Sequence, residues 1–133
     1  MEQYTAIIRQ YFDALLEGDL QTAGTLFADD IIWHQPGNGI LSGTKNGKGE
    51  VFALLGRFME LSNGTFAIDK IDYIASNGHL VVASIHFQAM ANGRSIAMKG
   101  IDMMRVENNK IKEMWLFSED SKGEDAFWTA LSE

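Results

Sequence analysis

The spacing of hydrophobic positions changes once along the chain, near its midpoint. In residues 3–17, Tyr4, Ile7, Ile8, Tyr11, Phe12, Leu15 and Leu16 recur at i, i+3 and i+4, which predicts an amphipathic helix. Gly18 suits the position after its end, and Asp19 suits the N-cap of a second helix running through Leu20, Ala23, Leu26 and Phe27 to about Ala28. Ile31–Gln35 reads as a short strand that Pro36 ends. Residues 37–49 hold five glycines and read as a long flexible loop. Glu50–Leu61 is a third predicted helix with Val51, Leu54, Leu55 and Phe58 facing inward. From residue 65 the pattern alternates instead. Asn77-Gly78, Asn92-Gly93 and the weaker Asn108-Asn109 are hairpin signals that cut residues 65–118 into four long antiparallel strands. Strands of that length must twist and curl. Ser121-Lys-Gly-Glu124 reads as a capping box opening a terminal helix with Phe127, Trp128 and Leu131.

The predicted order is α-α-β-α-β-β-β-β-α, an α+β pattern read as one domain over residues 1–133. Its curled sheet, mixed or antiparallel, wraps around helices on the concave face and leaves a cone-shaped cavity where a ligand would bind.

One strand breaks its own pattern. In Ile96–Val106, alternation puts Ile96, Met98, Gly100, Asp102, Met104 and Val106 on one face, apolar except for Asp102. A carboxylate there is costly unless it is paired, hydrogen-bonded or protonated. This strand is therefore expected to floor the pocket, with Gly100 leaving room and marking a bend or bulge.

Composition narrows the function classes. At 133 residues, with 46% hydrophobic and 22% charged residues, the chain can bury a real core. A net charge of −7 argues against nucleic-acid and anionic-membrane partners. There are no cysteines, which removes disulfides and thiol chemistry. Met1-Glu-Gln-Tyr4 has no basic or apolar leader pattern, no run approaches the roughly 20 apolar residues of a membrane span, and a cytoplasmic location is expected. Gly43, Gly47 and Lys48 lack the spacing of a phosphate loop. The three histidines lack ligand spacing, so neither metal nor cofactor is expected.

Several stretches taken together resemble the nuclear-transport-factor-like superfamily, and within it the SnoaL-like and ketosteroid-isomerase-like proteins. They are Tyr11-Phe-Asp-Ala-Leu-Leu-Glu-Gly-Asp19, Phe27-Ala-Asp-Asp30, Trp33-His-Gln-Pro-Gly37, Ser42-Gly-Thr-Lys-Asn-Gly47, Gly100-Ile-Asp-Met-Met-Arg-Val106 and Lys110-Ile-Lys-Glu-Met-Trp115. The resemblance implies a pocket for an apolar, carbonyl-containing compound, steroid-like or polyketide-like, and acid–base isomerase or cyclase chemistry. It also admits members with no chemistry, in which the pocket only binds or the domain only dimerises. The ketosteroid-isomerase pattern pairs a first-helix tyrosine, here Tyr11, with a protonated acid on the penultimate strand, here Asp102. Where that pattern has its general base, this chain has Gln35, which cannot accept a proton near neutral pH.

Tyr11 and Asp102 are thus the candidate catalytic pair, two donors aimed at one oxygen. The competing reading makes Tyr11 a core aromatic that bonds Asp102 structurally. Trp33, Gln35, Phe58, Ile85, Phe87, Met98, Gly100, Met104, Trp115 and Phe117 are the expected ligand-binding residues, though the aromatic ones would serve equally as core. His34 should point away from the cavity. His86 falls on the outer sheet face, where the resemblance implies a homodimer contact, and His79 follows a turn. Glu119 and Asp120, near the end of the last strand, are candidates for the missing base, against the plainer reading of solvated charge before a helix.

Overall fold

A computed structural model describes residues 2–133. The long strands dominate it. β3 (Ala67–Asn77), β4 (Leu80–Ala91), β5 (Arg94–Glu107) and β6 (Lys110–Ser118) form an antiparallel meander. Gly78 and His79 make the first turn, not Asn77 and Gly78, because Asn77 still pairs with Leu80. Gly78 has φ +60°, which a glycine adopts at no steric cost. Asn92-Gly93 (φ +53° and +77°) and Asn108-Asn109 (φ +52° and +61°) have both central residues left-handed, the turn that matches strand twist.

The first half differs from expectation in three places. The second helix, α2 (Leu20–Thr25), ends early, and β1 (Phe27–Gln35) starts at Phe27, not Ile31. Phe27 pairs with Ile111 of β6, so partnership with the sheet overrides the helical spacing of Leu26 and Phe27. The expected loop contains a strand, β2 (Gly43–Asn46), antiparallel to β1. The rest of that loop is tied down. The Asn38 N–H donates to Asp125 Oδ2 at 2.8 Å, and Ser42 Oγ donates to the Pro36 carbonyl at 2.7 Å. Helix α3 (Gly47–Leu61) starts three residues before Glu50.

One six-stranded curled sheet results, ordered β2-β1-β6-β5-β4-β3, parallel only between β1 and β6. Helix α1 (Glu2–Leu16) packs on β3 and β4, α3 on β1 and β2, and α4 (Ser121–Leu131) on β5 and β6. The core lies between them. Ile8 and Phe12 of α1, Phe27 and Ile31 of β1, Val51 of α3, Val81 of β4, Met104 of β5 and Met114 of β6 are all essentially inaccessible.

Helix starts follow side-chain chemistry. Asp19 caps α2 by accepting the Thr22 N–H at 3.0 Å, as expected. At α4 the cap is Asp120 and not Ser121, with Asp120 Oδ1 accepting the Gly123 N–H at 2.9 Å. Ser121 becomes the first helical residue, so Glu124 is released from the capping box and its side chain turns inward. Asp120→Ala should lower stability by about 1 kcal/mol in urea unfolding, because that N–H loses its partner. Asp120→Asn should recover most of the loss.

Candidate functional site

A cavity of about 340 Å³ lies between the concave face of the sheet and the helices. This is within the size range of small-molecule sites. A second depression of about 330 Å³ between α1 and β3 is bordered by surface groups such as Arg9 and Asp72 and contains no buried acid.

Strand register places the polar groups of the first cavity. Asp102 pairs with Ala83 on one side and Leu116 on the other, so it sits mid-sheet with its backbone held by two neighbours. Alternation turns its side chain inward, where it is 3% exposed. Gly100, two residues earlier, shares that face. A Cβ there would lie 2.9 Å from the Phe117 carbonyl oxygen and 3.7 Å from Ile85. The missing side chain therefore permits close strand approach and leaves space beside Asp102.

Tyr11 projects from the inner stripe of α1 into the same cavity. Its ring is held edge-on by Phe12 at 5.0 Å and tilted against Phe27 at 5.7 Å. Among the described residues neither the Tyr11 hydroxyl nor the Asp102 carboxyl has a hydrogen-bond partner, and no side-chain polar atom is sealed away without one. Both groups therefore open on the cavity. The structural pairing of Tyr11 with Asp102 is not formed.

Burial, reinforced by the nearby Glu124 charge, pushes the Asp102 carboxyl up to about 7. Burial, and secondarily the Asp102 charge, pushes the Tyr11 hydroxyl far above its ordinary range, so it stays protonated. Gln35 is also buried on the wall, and its Oε1 accepts the Trp33 Nε1–H at 3.0 Å. With its oxygen engaged, the amide nitrogen is the end left to meet a ligand.

Of the other expected wall residues, Trp33, Phe58, Ile85, Phe87 and Gly100 border the cavity. Met98 and Met104 share the inner face but are not on the wall. Met104 lies between Val81 and Met114 with no accessible surface, where the core closes completely. On β6 the parity is the reverse of the expected one. Leu116 faces Asp102 across the strand pair, so Leu116 and Ser118 point inward while Trp115 and Phe117 point outward. Phe117 nevertheless borders the cavity, with 53% of its surface exposed. Trp115 stacks on His34 on the outer face, with ring centres 5.6 Å apart.

The outer face also holds the histidines that alternation sends outward. His34 Nε2 lies 2.6 Å from Glu113, which Arg105 approaches at 3.2 Å. Burial acts to raise the Glu113 carboxyl, but hydrogen bonds from His34 and Arg105 outweigh it and hold it below its ordinary value. His86 pairs with Asp69 at 2.6 Å. Among the described residues no group of three or more metal-ligating side chains converges, and no helix is long and apolar enough to cross a membrane.

Neither proposed substitute base reaches the cavity wall. Glu119 accepts the Lys99 N–H at 2.9 Å, and Asp120 caps α4. The acid that does line the cavity is Glu124, buried at 6% exposure. Ser118 Oγ donates to its Oε1, and Trp128 Nε1 donates to its Oε2 at 3.1 Å. The clue in the chain was helical spacing. Glu124, Phe127, Trp128 and Leu131 form one i, i+3, i+4, i+7 stripe, with Glu124 at its polar end.

The family model described as the SnoaL-like domain matches residues 8–114. A crystal structure of a Xanthomonas campestris protein of unknown function with a cystatin-like fold is 43% identical. It covers 94% of this chain and 97% of its own, with a TM-score of 0.89. An uncharacterised Mycobacterium tuberculosis protein is 25% identical over 122 residues, 92% of this chain and 93% of its own. TerC, co-crystallised with polyporic acid, has the same fold at 15% identity and a TM-score of 0.81, covering 95% of this chain and 98% of its own. With a curled sheet and a family match over most of its length, the chain belongs to the SnoaL-like domain family.

Proposed function

We propose that this protein binds an apolar small molecule by a carbonyl or phenolic oxygen, which the Tyr11 hydroxyl and the protonated Asp102 carboxyl hold together. The observation that carries this reading is the pair of unpartnered polar groups opening on an otherwise apolar cavity. A hydrogen bond to each group contributes on the order of 1 kcal/mol, so a ligand oxygen that satisfies both is preferred over a purely hydrocarbon ligand. Aromatic and aliphatic walls such as Phe58, Phe87 and Leu55 suit a flat ring system. TerC, of the same fold, was crystallised with polyporic acid, which agrees with a pocket for ring compounds. Two donors on one oxygen would favour an enolate over the parent ketone, the basis of isomerase and cyclase chemistry on carbonyl compounds. Gln35 cannot take the proton in such a step, since an amide does not accept one near neutral pH.

The first test is thermal melting with β-naphthol, a flat phenol. Wild-type protein should be stabilised. Tyr11→Phe should bind about tenfold more weakly, the scale of one hydrogen bond at about 1.4 kcal/mol. Asp102→Leu should abolish most of the shift. Equal stabilisation of all three proteins would reject the oxygen site.

A second expectation concerns pH. The Asp102 pKa is raised from 3.8 to about 7, so between those values the folded state holds a proton that the unfolded state has lost. Stability therefore falls as pH rises through that window, by up to about 4 kcal/mol if the whole shift is expressed. Asp102→Asn should remove this slope, so the wild-type minus variant stability should decline from about pH 4 to about pH 7 in urea titrations. β-Naphthol affinity should likewise fall above about pH 7 in wild type only, as Asp102 loses its donor proton.

A further inference from the structure

Tyr11, Asp102 and Glu124 are the ionisable side chains on the cavity wall among the described residues, and no lysine, arginine or histidine accompanies them. Two carboxyls in an apolar enclosure with no cation cannot both be charged at low cost, and burial, with Glu124 nearby, raises the Asp102 carboxyl to about 7. The surroundings of the two differ. Glu124 accepts hydrogen bonds on both oxygens, from Ser118 and from Trp128, and it lies in the first turn of α4, where backbone N–H groups favour an anion. Asp102 has no donor and sits in the middle of the sheet. The two donors on Glu124 favour a negative charge there, and the donor-free setting of Asp102 favours its proton. Each Glu124 oxygen accepts one bond and keeps a further lone pair free.

We propose that Glu124 is the proton acceptor of this site, removing a proton from the carbon next to a carbonyl whose oxygen is held by Tyr11 and Asp102. This rests on the oxygen-binding reading above. In the step, the C–H bond breaks and its proton forms an O–H bond with Glu124. The electron pair moves into the C–C bond to make an enolate, whose oxygen keeps the two hydrogen bonds from Tyr11 and Asp102. Returning the proton from Glu124 to the same carbon exchanges it, and returning it to a conjugated carbon isomerises the compound. No oxidant or second reactant is needed. The ionisable groups facing Asp102 are Tyr11 from α1 and Glu124 from α4, while its neighbours on β4 and β6, Ala83 and Leu116, are apolar. Asp102 therefore has to stay protonated while Glu124 is charged, so the step should weaken above about pH 7.

The test is deuterium exchange into β-tetralone, whose protons beside the carbonyl are followed by proton NMR in D2O. β-Naphthol, a mimic of its enol, serves as the binding control. Wild-type protein should accelerate exchange over buffer. Glu124→Gln, which keeps a hydrogen-bonding side chain but cannot take the proton, should lose about 10²-fold or more while still binding β-naphthol. Should Glu124→Gln fail to bind β-naphthol through loss of fold, Glu124→Asp decides. It keeps the charge but withdraws it by one methylene, and it should exchange at least tenfold more slowly than wild type. Exchange by Glu124→Gln at the wild-type rate overturns the proposal. So does a wild-type protein that binds β-naphthol with Tyr11 dependence yet exchanges nothing. Absence of β-naphthol binding to wild type instead rejects the underlying oxygen site, and this proposal with it.

Discussion

Burying a carboxyl with no cation beside it places a proton on that carboxyl near neutral pH, and the centre of β5 is organised around this constraint. Asp102 is held mid-sheet by two neighbouring strands, so it cannot swing out to water. Opposite it stand Ala83, too small to fill the space, and Leu116, which carries no charge. Gly100 removes a side chain whose Cβ would lie 2.9 Å from the Phe117 carbonyl oxygen of β6. The same features that open the cavity withdraw solvent from the acid. A neutral carboxyl can donate a hydrogen bond where a carboxylate can only accept one, so fold and chemistry are linked through one proton.

That arrangement depends on register, since a slip of one residue would put Asp102 on the outer face. Left-handed Asn92 and Gly93 at the β4–β5 turn, and Asn108 and Asn109 at the β5–β6 turn, hold the register. The outer face adds a second set of constraints, with the His34–Trp115 stack and the His34–Glu113–Arg105 group joining β1, β5 and β6. Some of these contacts are partly exposed, so each contributes little alone, but they bind the edge of the parallel β1–β6 pair.

Much of this was legible before the structure. Alternation put Met98, Gly100, Asp102 and Met104 on one face, and it sent His34 and His86 to the other. Local pattern failed where a partner strand made the decision. Phe27 has helical spacing but lies in β1 because Ile111 pairs with it, and Gly43–Asn46 looked like loop because β1 makes it a strand. The Trp115 assignment failed differently. Aromatic residues near the end of a strand look like wall residues, but the register opposite Asp102 chooses the alternate set. Met104 was placed on the correct face, yet the face runs beyond the cavity into solid core.

Glu124 shows how a local motif can hide a site residue. Ser-x-x-Glu is a helix-start signal because its glutamate usually reaches back to the cap. Moving the cap by one residue, from Ser121 to Asp120, frees that glutamate. Once free, its position on the stripe with Phe127 and Trp128 turns it toward the sheet, and the Trp128 indole and Ser118 hydroxyl receive it there. Nothing in that fit requires the sequence to resemble another protein at the position of Gln35. A glutamine on β1, its oxygen engaged by Trp33, leaves that wall uncharged. A second carboxylate at Gln35 would compete with Glu124 for the charge and with Asp102 for the proton. The glutamine and the inward glutamate are therefore compatible as a pair, and the glutamine does not by itself exclude acid–base chemistry.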